Sequence, residues 1–162
     1  MQTMDELLAY LEQHNIAYQR WDHPAVFTVE QVNELAIPMP GIHTKNLFLR
    51  DKRATRLYLL VVPGEKQIDL KKAAGLLEVN NLSFASAERL RENLGITAGS
   101  VSVLALINDS LGKVQVIFDE EVWQAAAITA HPLVNTSTLV IPKVDLERFL
   151  TMIRHVPRVI GL

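Results

Sequence analysis

The sequence lacks cysteine altogether, and its 162 residues include only seven glycines and no long apolar run. Without cysteine the chain forms no disulfide bond, offers no thiolate to a metal and uses no thiol nucleophile. No apolar run approaches the roughly 20 residues that a membrane-spanning helix needs, and residues 1–12 have neither the basic nor the apolar segment of a signal peptide. We therefore expect a cytoplasmic protein without membrane contacts.

The overall charge and composition are those of a globular chain. Hydrophobic residues make up 49% of the sequence and charged residues 21%, and the formal net charge is −2. The length matches one ordinary domain, so we expect residues 1–162 to form a single domain. A chain without a basic excess is poorly suited to wrapping a long duplex, so we expect no DNA partner, whereas contact with the end of an RNA is compatible with this charge.

Positive charge is concentrated in one place, between Lys45 and Arg56. This stretch holds five cations and a single acid, Asp51. Such a run is most often the solvated tip of a hairpin, but it can also contact phosphate groups. Under the second interpretation the candidate RNA-binding residues are Arg50, Lys52, Arg53 and Arg56.

The hydrophobic pattern predicts an α/β fold of the α+β type, with a mixed, largely antiparallel sheet flanked by helices. Short turns join the predicted strands, which favours hairpins over crossover connections. Helices are expected after Thr3, Thr28, Asp69 and Ser86, because each of these residues can cap a helix N-terminus. Strands are predicted at residues 16–18, 46–50, 56–62, 82–84, 101–107, 114–118 and 138–141, with one or two helical turns at residues 122–127.

Several chemistries do not fit the residues present. The five histidines never show the spacing that places two metal ligands on one helix face, so we expect no metal site. No glycine-rich phosphate loop occurs. Ser100 follows a glycine, but the second glycine of a nucleophile elbow is missing, so a hydroxyl at a strand entry is the simpler interpretation.

Two polar clusters remain within apolar sequence. Lys45 and Asn46 stand at the start of a predicted buried strand, and His131 is followed by Asn135 and Thr136. Taken alone, such a lysine is more often a snorkelling surface residue and such a histidine a loop residue bonded to backbone. Together, the clusters offer a cation, two amides, an imidazole and a hydroxyl, which can bind a polar substrate and position a water molecule.

Five motifs occur in an order that resembles the YbaK/prolyl-tRNA-synthetase-associated editing family. They are HPAVFT at 23–28, KNLFLRD at 45–51, SFAS at 83–86, LIND at 106–109 and HPLVNT at 131–136. The pattern is most similar to the free-standing Ala-tRNA(Pro) deacylase branch, ProXp-ala. The resemblance runs over nearly the whole chain, and the five motifs in register make it specific.

The resemblance implies an activity in trans: hydrolysis of the ester that joins a wrong amino acid to the 3′ adenosine of a tRNA. A synthetase pocket sized for proline cannot strongly reject the smaller alanine by binding alone, so a second, size-selective site is needed. The implied partners are the aminoacylated 3′ end of tRNA and, transiently, prolyl-tRNA synthetase. Neither a metal, another cofactor nor a covalent intermediate is implied.

Carried over by motif, the resemblance gives roles to residues of both polar clusters. Lys45, Asn46 and His131 would form the catalytic group, with Lys45 fixing the ester and the attacking water electrostatically. The residues that would border or contact the substrate are His23, Phe27, Gly99, Ser100, Asn135 and Thr136.

One loop departs from the family pattern, which usually reads Gly-x-x-x-Pro with a proline before the glycine. Here Gly99 is present, but Ala98 and Val103 replace the two prolines. The change bears on the rigidity of the loop and therefore on the substrate. Two alternatives stay open: a non-catalytic aminoacyl-tRNA-binding or regulatory module of the same fold, and a deacylase for another small amino acid.

Overall fold

The computed structural model describes residues 3–162, and its helices and strands are interspersed along the chain. No helix in this part of the chain is both long enough and apolar enough to span a membrane. The helices are α1 (Met4–Gln13), α2 (Val29–Glu34), α3 (Leu70–Leu76), α4 (Ala87–Leu94), α5 (Glu120–Trp123) and α6 (Lys143–Met152). The strands are β1 (Gln19–Asp22), β2 (Thr44–Asp51), β3 (Leu57–Pro63), β4 (Leu82–Phe84), β5 (Val114–Asp119), β6 (Ala127–Ala130), β7 (Ser137–Pro142) and β8 (Arg158–Ile160).

The strands form two sheets. The larger has the order β4-β2-β3-β5-β8, with β3, β5 and β8 parallel and β4 and β2 antiparallel to their neighbours. The smaller sheet, β1-β7-β6, is entirely antiparallel. One face of the larger sheet packs on α3, and the other packs on α1, α4, α6 and the smaller sheet. This arrangement confirms the predicted mixed sheet flanked by helices.

The helix starts lie where local chemistry places them. Thr3 and Thr28 each form a full capping box, with Glu6 and Gln31 as the reciprocal partners. Asp69 and Ser86 also accept backbone N–H groups of the first helical turn, as predicted. These are short-range interactions, which explains why the sequence alone was enough to locate them.

The strand predicted at residues 101–107 is wrong, and so is its hairpin with β5. Residues Val103–Asn108 form a 3-10 helix whose start is capped by the Ser102 hydroxyl, which accepts the Leu104 N–H at 3.1 Å. Strand β5 instead runs parallel to β3. A buried apolar run of this length suits a strand or a helical segment equally well, and here the Ser102 cap favours the 3-10 helix.

Other predicted boundaries also need correction. Residues 16–18 do not form the predicted strand, which instead lies at β1, Gln19–Asp22. In the stretch near 122–127, only Glu120–Trp123 is helical. Strands β6 and β8 were not predicted, so β7 is not the last strand. Both missed strands are short, and β8 pairs with β5, which is distant in sequence, so a local pattern does not reveal it. Strand β6 pairs with the next strand, β7, and was missed because it has only four residues.

The two sheets meet where the chain enters β2. Ile42 donates its N–H to Ala127 O at 2.9 Å and accepts from Thr129 N at 3.1 Å, forming a parallel bridge to β6. Gly41 has a φ of +85°, and a Cβ added there would lie 2.7 Å from the Ala127 carbonyl oxygen. Only glycine fits this close backbone approach. The junction therefore fixes the start of β2 beside β6.

We predict that Gly41→Ala destabilises the protein by about 1–3 kcal/mol more than Gly112→Ala, because overpacking is added to backbone strain. Gly112 is a matched control, since its φ is +63° but no atom lies within 4 Å of an added Cβ. Urea unfolding of the two variants measures the difference. Equal destabilisation would show that the junction tolerates a side chain.

Candidate active site

A pocket of about 150 Å³ lies beside the junction of the two sheets. The start of β2 and the end of β6 form one wall, while α2 and the loop at Gly99 form the other. No Asp or Glu lines the pocket in the part of the chain that the structure describes. Its lining residues are Val26, Phe27, Thr28, Val29, Val32, Met39, His43, Thr44, Lys45, Asn46, Gly64, Ala98, Gly99, Val101, Thr129, Ala130, His131 and Thr138.

Lys45 and Asn46 reach the pocket from opposite faces of β2. Lys45 lies opposite Val62, on the face covered by α3, whereas Asn46 lies opposite Val61, on the face of the main core. Within residues 3–162, no hydrogen bond or ion pair engages the Lys45 ammonium, so it is available to a ligand. The Asn46 Oδ1 atom is buried and also has no partner there.

His131 enters the pocket as a neutral imidazole with a defined tautomer. Its Nδ1 donates to the Ser137 carbonyl oxygen at 3.0 Å, which leaves Nε2 with a lone pair. Burial lowers the pKa of His131 below its ordinary value, and this outweighs the Ser137 hydrogen bond, which raises it. A neutral imidazole with a free Nε2 can accept a hydrogen bond from water or substrate.

Phe27 stands at the mouth of the pocket with 70% of its surface exposed. Its ring packs so close to Gly99 that a Cβ there would lie 2.9 Å from Phe27 Cδ1. Asn135 holds the same loop, because its Nδ2 donates to Val26 O at 3.1 Å. Asn135 is therefore a support of the Phe27 loop and does not itself line the pocket.

His23 borders the pocket through Thr138, a residue that the sequence did not single out. The His23 Nε2 lies 2.7 Å from Thr138 Oγ1, and its Nδ1 donates to Pro24 O. A hydroxyl is therefore bonded to an imidazole at the edge of the pocket. Thr129, also missed, ties the junction: its Oγ1 accepts Thr44 N at 3.1 Å, and its carbonyl accepts the Thr44 hydroxyl at 2.7 Å. Both threonines become visible only once β6 and β7 are placed.

The remaining predicted residues do not line the pocket. Ser100 is buried, and Thr136 is exposed with its carbonyl accepting His23 N. The cationic residues lie at the other end of β2, roughly 20 Å from Lys45 at strand spacing. There Arg50 donates to the carbonyls of Asp51 and Lys52, so its guanidinium braces the hairpin turn, while Lys52, Arg53 and Arg56 are exposed.

The loop that departs from the family pattern is well formed without its prolines. Ala98–Ser100 make a 3-10 turn, and Val103 is the first residue of the next 3-10 helix. A first helical position needs no intrahelical partner for its N–H, which is why proline suits it and why valine can replace proline there. Val103 is 1% exposed and packs in the core.

Comparison with protein families now decides the class. The model of the aminoacyl-tRNA editing domain matches residues 23–149. The chain belongs to this family. It is an aminoacyl-tRNA deacylase, which acts on mischarged aminoacyl-tRNA, and the pocket described above lies within the editing domain.

Two curated relatives cover almost the whole chain. Prolyl-tRNA editing protein ProX of Acetoanaerobium sticklandii is 34% identical over 91% of this chain and 90% of its own length. Prolyl-tRNA synthetase associated domain-containing protein 1 of Danio rerio is 34% identical over 96% of this chain and 85% of its own length. The similarity to these relatives therefore extends beyond residues 23–149, the segment that the family model matches.

Solved structures share the fold at low sequence identity. The hypothetical protein APE2540 superposes with a TM-score of 0.71 at 16% identity, covering 96% of this chain and 97% of that one. A candidate trans-editing enzyme for prolyl tRNA synthetase gives 0.67 at 18% identity, covering 98% and 96%. Both show that this chain shares their fold.

We predict that His131 makes the folded state less stable as the pH falls below about 6.5, the ordinary histidine pKa. Because burial lowers the pKa of His131 in the folded state, the unfolded chain binds its proton first, and stability is lost on acidification. The free energy of unfolding, measured in urea at pH 7.5 and 5.5, should fall less in His131→Gln than in the wild type. An equal fall in both proteins would contradict this.

Proposed function

We propose that this chain edits Ala-tRNA(Pro) in trans, by attack of a water molecule on the aminoacyl ester without a covalent intermediate. The observation that carries the proposal is the pocket itself, which combines an unpaired lysine, a neutral imidazole and a small apolar wall. The bacterial relative, a prolyl-tRNA editing protein, supports the choice of tRNA. Prolyl-tRNA synthetase would then be a transient partner that releases the mischarged tRNA.

The apolar wall favours a small amino acid. Val26, Val29, Val32 and Met39 line the side of the pocket toward α2. These side chains suit a methyl group better than a polar side chain. Proline would be rejected here because it is larger than alanine, whereas a synthetase pocket sized for proline cannot strongly reject the smaller alanine.

The ionisable groups divide the chemistry between them. The Lys45 ammonium stabilises negative charge as it develops on the ester during attack. His131 offers its Nε2 lone pair to the attacking water. We assign the attack to water because the hydroxyl of Thr138 lies inside β7, only 5% of the residue is exposed, and the oxygen is already paired with His23.

We predict that Lys45→Ala lowers kcat/KM for deacylation of Ala-tRNA(Pro) by about 100- to 1,000-fold, the usual effect of removing one electrostatic stabiliser. The assay is release of labelled alanine from a panel of tRNAs carrying alanine, serine, glycine or proline. Alanine should be released fastest, and prolyl-tRNA should be spared.

Lys113→Ala is the matched control, because Lys113 is an exposed lysine outside the pocket. It should keep wild-type activity. If the wild type and Lys45→Ala hydrolyse aminoacyl-tRNA at equal rates, the role assigned to Lys45 is wrong; if neither hydrolyses any aminoacyl-tRNA, the chain is a binding module of the same fold. If another small amino acid is released faster than alanine, the substrate assignment changes and the chemistry stands.

The hairpin tip is our candidate contact for the tRNA backbone. With the 3′ end in the pocket, phosphates further along the RNA can reach Lys52, Arg53 and Arg56 at the far end of β2. We predict that Arg53→Glu with Arg56→Glu weakens tRNA binding. The slope of log K against log salt concentration should become less steep by about one to two units. Filter binding over a range of salt concentrations measures both quantities.

Lys71→Glu with Lys72→Glu gives the same change in net charge on a different surface, the exposed side of α3. This pair should leave the salt dependence close to that of the wild type. Equal weakening by both double variants would show that the effect comes from the net charge of the protein. The hairpin tip would then be a solvated surface with no contact to tRNA.

A further inference from the structure

The pairing of β2 changes partner along the edge that faces away from β3. At its start this edge bonds to β6, where Thr44 donates its N–H to Thr129 Oγ1 at 3.1 Å. Further along it bonds to the segment that includes β4, where Phe48 O accepts Ala85 N at 3.0 Å. Asn46 lies between these two contacts and lines the pocket. The pocket therefore sits at a gap in the pairing of this edge.

The main-chain groups of Asn46 point into that gap. In a strand, alternate residues direct their N–H and C=O to the same edge. His43 bonds toward β3, because its carbonyl accepts Gly64 N at 2.9 Å, whereas Thr44 and Phe48 bond away from β3. Asn46 shares the direction of Thr44 and Phe48. Among residues 3–162, neither its N–H nor its C=O has a main-chain partner across this edge.

A second observation at the same residue points to a ligand. The side-chain Oδ1 of Asn46 is buried and has no hydrogen-bond partner in the described part of the chain. An unsatisfied buried acceptor costs about 1–3 kcal/mol, so native proteins usually supply it with a donor. Asn46 thus presents an unpaired N–H, an unpaired C=O and an unpaired side-chain oxygen around one position.

The aminoacyl group of a charged tRNA carries the complementary set. It has a carbonyl oxygen that accepts and an α-ammonium that donates, both on one residue. A hydrogen-bonded residue pair in an antiparallel sheet exchanges two N–H···O bonds in this way. The open edge at Asn46 therefore matches the main chain of a single amino acid, whatever its side chain.

We propose that the aminoacyl group binds as a one-residue strand on Asn46, with the Asn46 N–H donating to the ester carbonyl oxygen and the Asn46 C=O accepting from the α-ammonium. The inference rests on the proposed function and refines it, since it assigns a catalytic role to the main chain of Asn46. The N–H then stabilises the oxyanion that forms when water attacks. The Oδ1 atom is a further acceptor for the ammonium.

The direct test replaces Asn46 with its α-hydroxy analogue, which exchanges the N–H for an ester oxygen and keeps the side chain. Because this N–H is outside the β2–β3 ladder, the fold should remain intact. We expect kcat for Ala-tRNA(Pro) to fall about 100- to 1,000-fold, as for loss of one oxyanion donor, with little change in KM. The α-hydroxy analogue of Leu47 is the matched control, since Leu47 faces β3. It should lower stability and leave kcat within a few-fold.

Hydrogen exchange gives a readout that does not depend on turnover. The probe is 3′-alanylamino-3′-deoxyadenosine, whose amide replaces the ester. On binding, exchange of the Asn46 N–H should slow, while the ladder amides of Lys45 and Leu47, which are already protected, should change little.

Two outcomes separate this inference from the proposed function. If the wild type hydrolyses Ala-tRNA(Pro) and the probe binds, but the α-hydroxy Asn46 variant is fully active and the Asn46 exchange is unchanged, main-chain pairing is overturned and the function stands. If the wild type neither hydrolyses aminoacyl-tRNA nor binds the probe, the proposed function fails and this inference fails with it.

Discussion

The close backbone contact between Gly41 and Ala127 is the constraint on which the site depends. It joins the larger sheet to the smaller one, and the paired hydrogen bonds of Thr44 and Thr129 hold the joint in register. Because β2 leaves this joint in one direction and β6 ends beside it, residues 45 and 131 come to line a single pocket. Strand geometry, rather than a catalytic loop, therefore positions the polar groups.

The pocket contains few ionisable groups, which limits its chemistry in a useful way. It has a lysine and histidines but no lining carboxylate in the described chain, and His131 stays neutral because burial opposes its protonation. In the proposed complex a positively charged substrate amine meets neutral acceptors, while the ester faces the Lys45 cation and the Asn46 N–H. Such an environment stabilises a developing oxyanion without requiring a protein nucleophile.

The sequence was sufficient for features that depend on near neighbours. The capping boxes at Thr3 and Thr28 and the hairpin of β2 and β3 were predictable because their determinants lie within a few residues. It failed at residues 101–107, where an apolar run fits strand or helix and the Ser102 cap selects a 3-10 helix. It also missed β8, whose parallel pairing with β5 is non-local.

The residues of the site divide in the same way, into those that sequence motifs reveal and those that depend on distant contacts. The motifs pointed to Lys45, Asn46 and His131, all of which line the pocket. They did not reveal Thr129 or Thr138, whose importance arises only from the packing of β6 and β7 against β2 and β1. Nor could they show that Asn135 supports the Phe27 loop, because that contact crosses 109 residues of sequence.

The central claim, that the gap beside the sheet junction receives the aminoacyl end of a tRNA, is tested most directly by a crystal structure with 3′-alanylamino-3′-deoxyadenosine bound. The account predicts the alanyl group between Asn46 and His131, its methyl group against the apolar wall of α2, and the adenosine toward the mouth of the pocket. An alanyl group bound outside this pocket, or an adenosine buried in it with the alanyl group in solvent, would contradict the account.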